Sequence, residues 1–413
     1  MQDASKKLNN TLLVIFIILL MTISQMAVTI YIPAFPSMVS DFKTSTALIQ
    51  ISLVGYVFAY GCSQFFYGPL SDIYGRRLIV LIGLSIFVCA SALAIIATNI
   101  YLFLLARILQ GIGMGCGDTM GRAIMCDVFK GRQFISAASY ISMASTLTPL
   151  FAPILGGYFA YLLNWRACFI FLFLYGIFNL VLLWRFLPET KNTELPVLKS
   201  IKGISNTYLF IIRNQIFLGF FIPGLVSFFG EILYNMVSPF LLQGRLGLSP
   251  IIFGWLAIFT ISGLLTGSII AKAFAHKITH YHMVLTGLYI LLLGSVSMLI
   301  PSLYSYMSIT SIVLPMVIFM LGVGITYPNT NMGALAPFTK MAGTAGALQG
   351  GLQMITSGLV GIVLADMRNQ TQFPLALILT IISSVGLLSF FIFLKPRKNH
   401  ICTMVKDNNG TLY

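Results

Sequence analysis

TLLVIFIILLMTISQMAVTIYI, residues 11–32, contains no charged side chain. An α-helix of about 20 apolar residues is as long as the hydrocarbon core of a bilayer is thick. Lys6 and Lys7 precede the stretch, as in a signal peptide. The apolar run is too long for such a leader, however, and it lacks a cleavage pattern of small residues. It therefore predicts a membrane-spanning helix that is retained.

Eleven further apolar runs follow, at 48–67, 78–97, 101–126, 134–162, 167–187, 214–242, 250–275, 283–300, 305–328, 342–364 and 373–394. The whole chain is 58% hydrophobic and only 8% charged, whereas roughly 25% of a soluble domain is charged. Lipid must therefore solvate most of the surface. Each run must be a helix, because hydrocarbon offers no partners to an open strand. The sequence predicts an all-α membrane protein with 12 transmembrane helices.

The longest polar stretch lies near the midpoint and separates six predicted spans from six. A 6 + 6 arrangement is typical of internally duplicated transporters. We therefore expect two pseudo-symmetric six-helix bundles, 1–187 and 214–394, with a cytoplasmic middle loop, 188–213, and a cytoplasmic tail, 395–413.

The net charge of +14 would suggest a nucleic-acid partner in a soluble protein. With both termini in the cytoplasm, 18 of the 24 Lys and Arg residues fall in inside segments and four in outside loops. Positive residues concentrate on the cytoplasmic side of membrane proteins. The charge thus predicts cytoplasmic termini and no nucleic-acid partner.

The fourth predicted span carries three ionisable residues at membrane depth: Arg107, Asp118 and Arg122. Such residues are costly in a bilayer and usually mark a functional site. Asp118 and Arg122 are four residues apart, so they can pair on one helix face. The alternatives are a role in proton coupling and a structural ion pair that fixes helix packing.

Glu231 lies in the seventh predicted span with no basic residue near it in sequence. Ser227, Asn235 and Ser238 share its helix face, which we expect to border water. Apolar surroundings favour the protonated form of a carboxyl group, so Glu231 is a candidate proton carrier. The alternative is a buried structural acid that is held by hydrogen bonds.

Uncharged polar residues align on single faces of other spans, and aromatic and Met residues abound. Such faces predict an adaptable, largely apolar substrate cavity. Its candidate residues are Gln25, Thr29, Asn235, Gln349 and Gln353.

No phosphate-binding loop of the type G-x-x-x-x-G-K-[ST] occurs in the sequence. The four histidines, at 276, 280, 282 and 400, lie outside the predicted spans, so neither a metal site nor a catalytic constellation is expected at membrane depth. The sequence predicts a transporter that uses no cofactor and is not an enzyme; a membrane-embedded enzyme or channel is the remote alternative.

The stretch G-P-L-S-D-I-Y-G-R-R at 68–77 resembles the signature between the second and third helices of the major facilitator superfamily. Its characteristic positions here are Gly68, Asp72, Gly75, Arg76 and Arg77. In the superfamily this segment acts as a gating loop, in which the acid contacts a neighbouring helix and the arginines.

Two further motifs support the resemblance. R-I-L-Q-G at 107–111 is similar to the superfamily's fourth-helix motif, whose arginine, here Arg107, is associated with proton coupling. A-P-I-L-G-G at 152–157 is similar to the motif of its antiporters, with Pro153, Gly156 and Gly157 at the matching positions.

A narrower resemblance is to the Bcr/CflA branch of the twelve-helix drug:proton antiporters, through Y-I-P at 31–33, Y-G-P at 67–69 and M-A-G-T-A at 341–345. That branch usually has Asp where this chain has Thr29. The resemblance implies a monomeric secondary transporter of the bacterial inner membrane that exports amphipathic drugs or metabolites in exchange for protons. The alternative is a carrier with the same fold that exports or imports one metabolite, such as a siderophore or nucleoside.

Overall fold

The computed structural model describes residues 10–191, 201–275, 277–365 and 371–394. Within these residues it contains helices and no strands, and 12 helical segments are long and apolar enough to cross a membrane. The predicted all-α fold with twelve spans is therefore confirmed. The predicted tail, 395–413, lies outside the described residues.

The first half of the chain contains seven α-helices and one 3-10 turn. They are α1 (Asn10–Thr29), the turn Ile32–Ala34, α2 (Phe35–Asp41), α3 (Thr46–Tyr74), α4 (Arg76–Ile96), α5 (Ile100–Val128), α6 (Gly131–Leu162) and α7 (Trp165–Phe186). The side chains of Ser45 and Asn99 accept hydrogen bonds from the first turns of α3 and α5, as N-cap residues do.

The described residues of the second half form seven more α-helices and the 3-10 segment Ala336–Met341. The α-helices are α8 (Ile201–Ile212), α9 (Gln215–Pro239), α10 (Pro250–Phe274), α11 (His280–Leu303), α12 (Ile309–Leu335), α13 (Ala342–Leu364) and α14 (Phe373–Leu394). The segment Phe240–Arg245 extends α9 as a π-helical turn. α8 falls within the polar stretch predicted as a loop. Its Ile211 is fully buried, so packing of its apolar side stabilises a helix there.

A boundary difference of seven residues occurs at the end of the second span. The sequence predicted a helix ending at 67 and a loop from Gly68, but α3 continues to Tyr74 and α4 begins at Arg76. Pro69 lies inside α3 without ending it. The turn is Gly75 alone, whose φ of +96° is a conformation that L-residues with a side chain rarely adopt.

The chain divides into two compact units. Unit 1 comprises the described parts of Met1–Ser200, Leu248–Trp255 and Gly350–Asp366, and unit 2 comprises the rest. Large apolar side chains remain exposed on the helices; Phe66 is 68% exposed and Ile392 is 69% exposed. Such surfaces suit contact with lipid rather than water.

An aromatic cluster forms the core of unit 1 where α1, α5 and α7 meet. Tyr31, Phe103 and Phe169 are fully buried, and the Phe169 ring centroid lies 5.4 Å from that of Tyr31 and 5.2 Å from that of Phe103. Trp165 joins the cluster, and its indole N–H donates a 2.8 Å hydrogen bond to Asp41. These contacts hold the first turns of α5 beside the end of α1.

Candidate functional site

Arg107 of α5 is completely buried in unit 1. Its guanidinium donates hydrogen bonds to the Gln110 side chain (2.6 Å) and to the Ala27 carbonyl (3.0 Å). It also lies over the rings of Tyr31 and Tyr56, 4.4 Å from each centroid. Arg107 has no ion pair within 4.0 Å among the described residues. The Phe169 ring lies further away, at 5.8 Å. Three aromatic rings and two neutral oxygens therefore stabilise this charge, without a carboxylate.

The two tyrosines whose ring centroids lie 4.4 Å from the Arg107 guanidinium are themselves held by hydrogen bonds. Tyr56 donates to the Ser24 carbonyl (3.0 Å), and the Tyr31 hydroxyl lies 3.1 Å from that of Ser52. The sequence identified Arg107 but missed these aromatic partners. Tyr56 lies on α3 and Tyr31 in the turn after α1, so no spacing within the span of Arg107 points to them.

Asp118 and Arg122 do not form the predicted ion pair, since no contact within 4.0 Å joins their charged groups. Asp118 lies beside the phenol of Tyr60 on α3. Arg122 is exposed and lies against Gly350 of α13, where an added Cβ would be 3.9 Å from one guanidinium nitrogen. Their spacing permits pairing, but each side chain turns towards a different neighbouring helix.

The α3–α4 corner brings charged residues of the predicted gating motif together. The Arg76 guanidinium lies 2.6 Å from Asp72 and 3.0 Å from Asp127 of α5, and it also donates to the Ser71 hydroxyl. The side chain of Asp72 is 40% exposed and that of Asp127 only 7% exposed. The sequence missed Asp127, which is the more deeply buried partner.

Glu189, just after α7, is a second acid that the sequence missed. Its carboxylate accepts hydrogen bonds from the backbone N–H groups of Arg76 (2.9 Å) and Arg77 (3.3 Å), at the start of α4. A negative charge is favourable at a helix N-terminus. A Cβ at Gly75 would overlap this carboxylate, so the glycine also makes room for the contact. Gly68, by contrast, is not crowded.

The glycines of the predicted antiporter motif lie on α6, within unit 1. A Cβ at Gly156 would overlap the carbonyl oxygen of Ile30, and one at Gly157 would lie 2.5 Å from that of Pro250. Likewise, a Cβ at Gly254 of α10 would lie 2.5 Å from the carbonyl oxygen of Pro153. These glycines let helix backbones meet directly, as small residues do in membranes.

Glu231 lies on α9 in unit 2 and is partly exposed. It has no ion pair among the described residues. Asn235, one turn further, is also partly exposed, whereas Ser227 and Ser238 are completely buried. The face predicted to border water is therefore limited to Glu231 and Asn235.

The remaining candidate cavity residues fall in both units. In unit 1, Gln25 is partly exposed and Thr29 is buried, with its hydroxyl donating to the Gln25 carbonyl. Gln353 is 3% exposed, and its Nε2 has no hydrogen-bond partner in the described part of the chain. In unit 2, Gln349 is buried and donates a 2.6 Å hydrogen bond to Asn331.

Residues 17–361 match the family model of the Major Facilitator Superfamily. The chain is 31% identical over 376 residues to multidrug resistance protein D of Escherichia coli (strain K12), covering 91% of this chain and 94% of the relative. It is 24% identical to a bicyclomycin resistance protein homolog of Haemophilus influenzae, covering 93% and 96%. The crystal structure of a D-xylose-proton symporter shares the fold, with a TM-score of 0.76, 17% identity and coverage of 93% and 96%.

Proposed function

The chain belongs to the Major Facilitator Superfamily, and from that premise we propose that it exports small amphipathic drugs or metabolites across the bacterial inner membrane in exchange for protons. The names of its relatives, multidrug resistance protein D and a bicyclomycin resistance protein homolog, support drugs as the cargo. They also favour export over the alternative, import of one metabolite such as a siderophore or nucleoside.

The observation that carries the proton coupling is Glu231. It is a partly exposed carboxyl within a membrane-spanning helix, and it has no cationic partner among the described residues. A carboxyl in apolar surroundings is less costly when it is protonated. Access to water from one side of the membrane and then the other would let it take up a proton outside and release it inside.

We assign the corner of Asp72, Arg76, Asp127 and Glu189 to gating. Its contacts join α3, α4, α5 and the chain after α7 within unit 1. With both termini in the cytoplasm, as the Lys and Arg distribution favours, this corner lies on the cytoplasmic side. Closing and opening that side in turn is the action that alternating access requires.

Membership of a transporter family supports transport rather than catalysis. His280 and His282 lie in the first turn of α11, whereas the sequence placed them outside the predicted spans. His280 is hydrogen-bonded to Asn329, at 2.8 Å, and the His282 Nδ1 lies 2.8 Å from the Thr279 hydroxyl.

The test is transport by the purified full chain in proteoliposomes with an imposed pH gradient, using a panel of amphipathic drugs. We expect drug movement that is driven by the gradient and is abolished when a protonophore collapses it. Drug movement that is indifferent to the gradient would contradict proton coupling. Gradient-driven import of a compound, instead of export, would favour the import alternative.

A further inference from the structure

Four polar residues of unit 1 lie between α3 and α5 in two pairs, which we call the two rungs of the α3–α5 ladder. Tyr60 and Gln64 are four residues apart on α3, and Asp118 and Arg122 are four apart on α5, so each pair shares a helix face. Tyr60 lies beside Asp118 in the first rung. In the second rung, Gln64 and Arg122 both lie against Gly350, where an added Cβ would be 3.4 Å from the Gln64 Oε1 and 3.9 Å from the Arg122 Nη2.

This α3–α5 ladder contains polar atoms without partners. Gln64 is 2% exposed, and neither its Oε1 nor the Asp118 Oδ1 has a hydrogen-bond partner within the described ranges. The Arg122 guanidinium likewise has no ion pair there. Buried polar groups are normally satisfied, so the two orphaned oxygens, on a carboxylate and an amide, call for an explanation. Arg122 is exposed, so its guanidinium is open to a ligand.

The ladder lies within the membrane-spanning helices α3 and α5. Asp118 and Arg122 are ten and six residues from Val128, the nearer end of α5, which corresponds to about 15 Å and about 9 Å at the rise of an α-helix. A carboxylate and a guanidinium four residues apart on one helix can pair with each other. The structure holds them unpaired instead, with Asp118 beside Tyr60 and Arg122 against Gly350.

We propose that the α3–α5 ladder is the binding site for a zwitterionic substrate, a small molecule with a protonated amine and a carboxylate. This inference rests on the proposed function and specifies its substrate class. The ammonium binds the Asp118 Oδ1 and the Gln64 Oε1, and the carboxylate binds Arg122. The rings of Tyr56 and Tyr60, stacked with centroids 6.0 Å apart and almost fully buried, form an apolar border on the α3 side of the ladder.

The electrostatics favour a dipolar ligand over a singly charged one. A zwitterion contacts both unpaired charges at once, whereas a lone cation or anion contacts only one of them. Its net charge is zero, so its passage does not move charge across the membrane potential.

The test compares four compounds that share a phenyl group and differ in charge: phenylalanine, phenethylamine, 3-phenylpropanoate and 3-phenylpropanol. Equilibrium binding to the full chain in nanodiscs at neutral pH needs no gradient. We expect phenylalanine to bind at least about tenfold more tightly than the other three, because each of them lacks at least one of the two charged contacts, and a hydrogen bond to a charged group contributes about tenfold or more in affinity.

Two variants separate the two charges. Asp118→Asn should weaken phenylalanine and phenethylamine at least about tenfold and leave 3-phenylpropanoate unchanged. Arg122→Gln should weaken phenylalanine and 3-phenylpropanoate and leave phenethylamine unchanged. The conservative variants Asp118→Glu and Arg122→Lys keep both charges and should retain the preference for phenylalanine.

Equal binding of all four compounds by the parent chain would overturn the proposal, even if no variant folds. An equal loss for all four in both variants would assign the ladder a structural role only. Gradient-driven export of the drug panel without zwitterion preference would overturn this inference and leave the proposed function standing. Preference for the zwitterion without gradient-driven transport would overturn the proposed function and leave this inference standing.

Discussion

The backbone N–H of Arg76 donates a 2.9 Å hydrogen bond to the Glu189 carboxylate, which joins residues 113 apart in sequence. The same carboxylate accepts from the N–H of Arg77, so it caps the first turn of α4. The chain that leaves α7 is thereby tied to the corner that holds the Asp72–Arg76 ion pair. Unit 1 thus contains a contact between Glu189 and the start of α4 that extends beyond the gating motif.

Glu189→Ala tests whether the contact of Glu189 with the start of α4 supports stability and transport. Removing a capping side chain costs about 0.5–2 kcal/mol, so we expect a lower thermal midpoint of the purified protein and transport reduced several-fold. Lys191→Ala is the control, because it removes a hydrogen bond to the Ile73 carbonyl but leaves the Glu189 carboxylate in place. Equal behaviour of the two variants in transport assays would remove Glu189 from the gating account.

Asp72→Asn and Asp127→Asn compare the two acids around Arg76. Each change keeps side-chain volume and removes one negative charge. Breaking a buried pair costs about 3–5 kcal/mol, whereas an exposed pair contributes about 0–1 kcal/mol. Because Asp127 is 7% exposed and Asp72 is 40% exposed, we expect Asp127→Asn to reduce transport more. Transport per molecule at equal membrane abundance is the measurement, and the reverse order would contradict it.

Arg107→Lys should be nearly as damaging as Arg107→Ala. A lysine keeps the charge, but it cannot stack as a plane between Tyr31 and Tyr56 while also reaching Gln110 and Ala27. Each ring contact is worth about 0.5–2 kcal/mol. We expect thermal stability and transport both to fall.

Arg166→Lys is the matched control for Arg107. This arginine also stacks on a ring, that of Trp165 at 4.3 Å, but it is only partly buried. We expect a small effect. Near-normal transport by Arg107→Lys would show that the charge alone suffices, and would contradict the stacked geometry as its reason.

Gly156→Ala tests the backbone contact of α6. The added Cβ would overlap the Ile30 carbonyl oxygen, so the helices must move apart, and overpacking typically costs 1–3 kcal/mol. We expect less folded protein in the membrane, measured by fluorescence-detected size exclusion. Gly244→Ala is the control, because nothing lies within 4 Å of a Cβ there. Equal yields from both variants would show that α6 can shift without cost.

The sequence predicted the parts of this structure that depend on local composition. Twelve spans follow from hydropathy, whereas the contact of Asp72 with Arg76 was implied by the resemblance of residues 68–77 to the superfamily signature. The contacts of Glu189 and Asp127 with Arg76 could not be predicted, because no local pattern relates residues so far apart. The failed Asp118–Arg122 pair shows the same limit, since spacing permits a contact and neighbouring helices decide whether it forms.

The site residues differ in the same way. Arg107 could be predicted because a charge inside an apolar span stands out. Tyr31 and Tyr56 could not, since aromatic residues are common throughout the chain and only the fold selects the two that face a guanidinium. No sequence pattern predicted that the candidate cavity residues would be divided between two units.

Glu231→Gln is the decisive test of proton coupling. The amide resembles the protonated carboxyl in shape and charge, but it cannot release a proton. Glu231 has no ion pair among the described residues, so the change breaks no salt bridge and should leave folding intact. We expect the variant to bind substrate with unchanged affinity and to lose accumulation against a gradient. Glu231→Asp keeps an exchangeable proton and should retain part of that accumulation.

The assay for this prediction is pH-gradient-driven uptake into inverted vesicles, alongside equilibrium binding. A neutral substrate is needed, because we propose that Asp118 contacts an ammonium group. With that substrate, Asp118→Asn should stay coupled while Glu231→Gln does not. If coupling survives in Glu231→Gln and fails in Asp118→Asn, the proton is carried on α5. If both variants accumulate substrate as the parent chain does, neither carboxyl carries the proton, and the lone acid of α9 has another role.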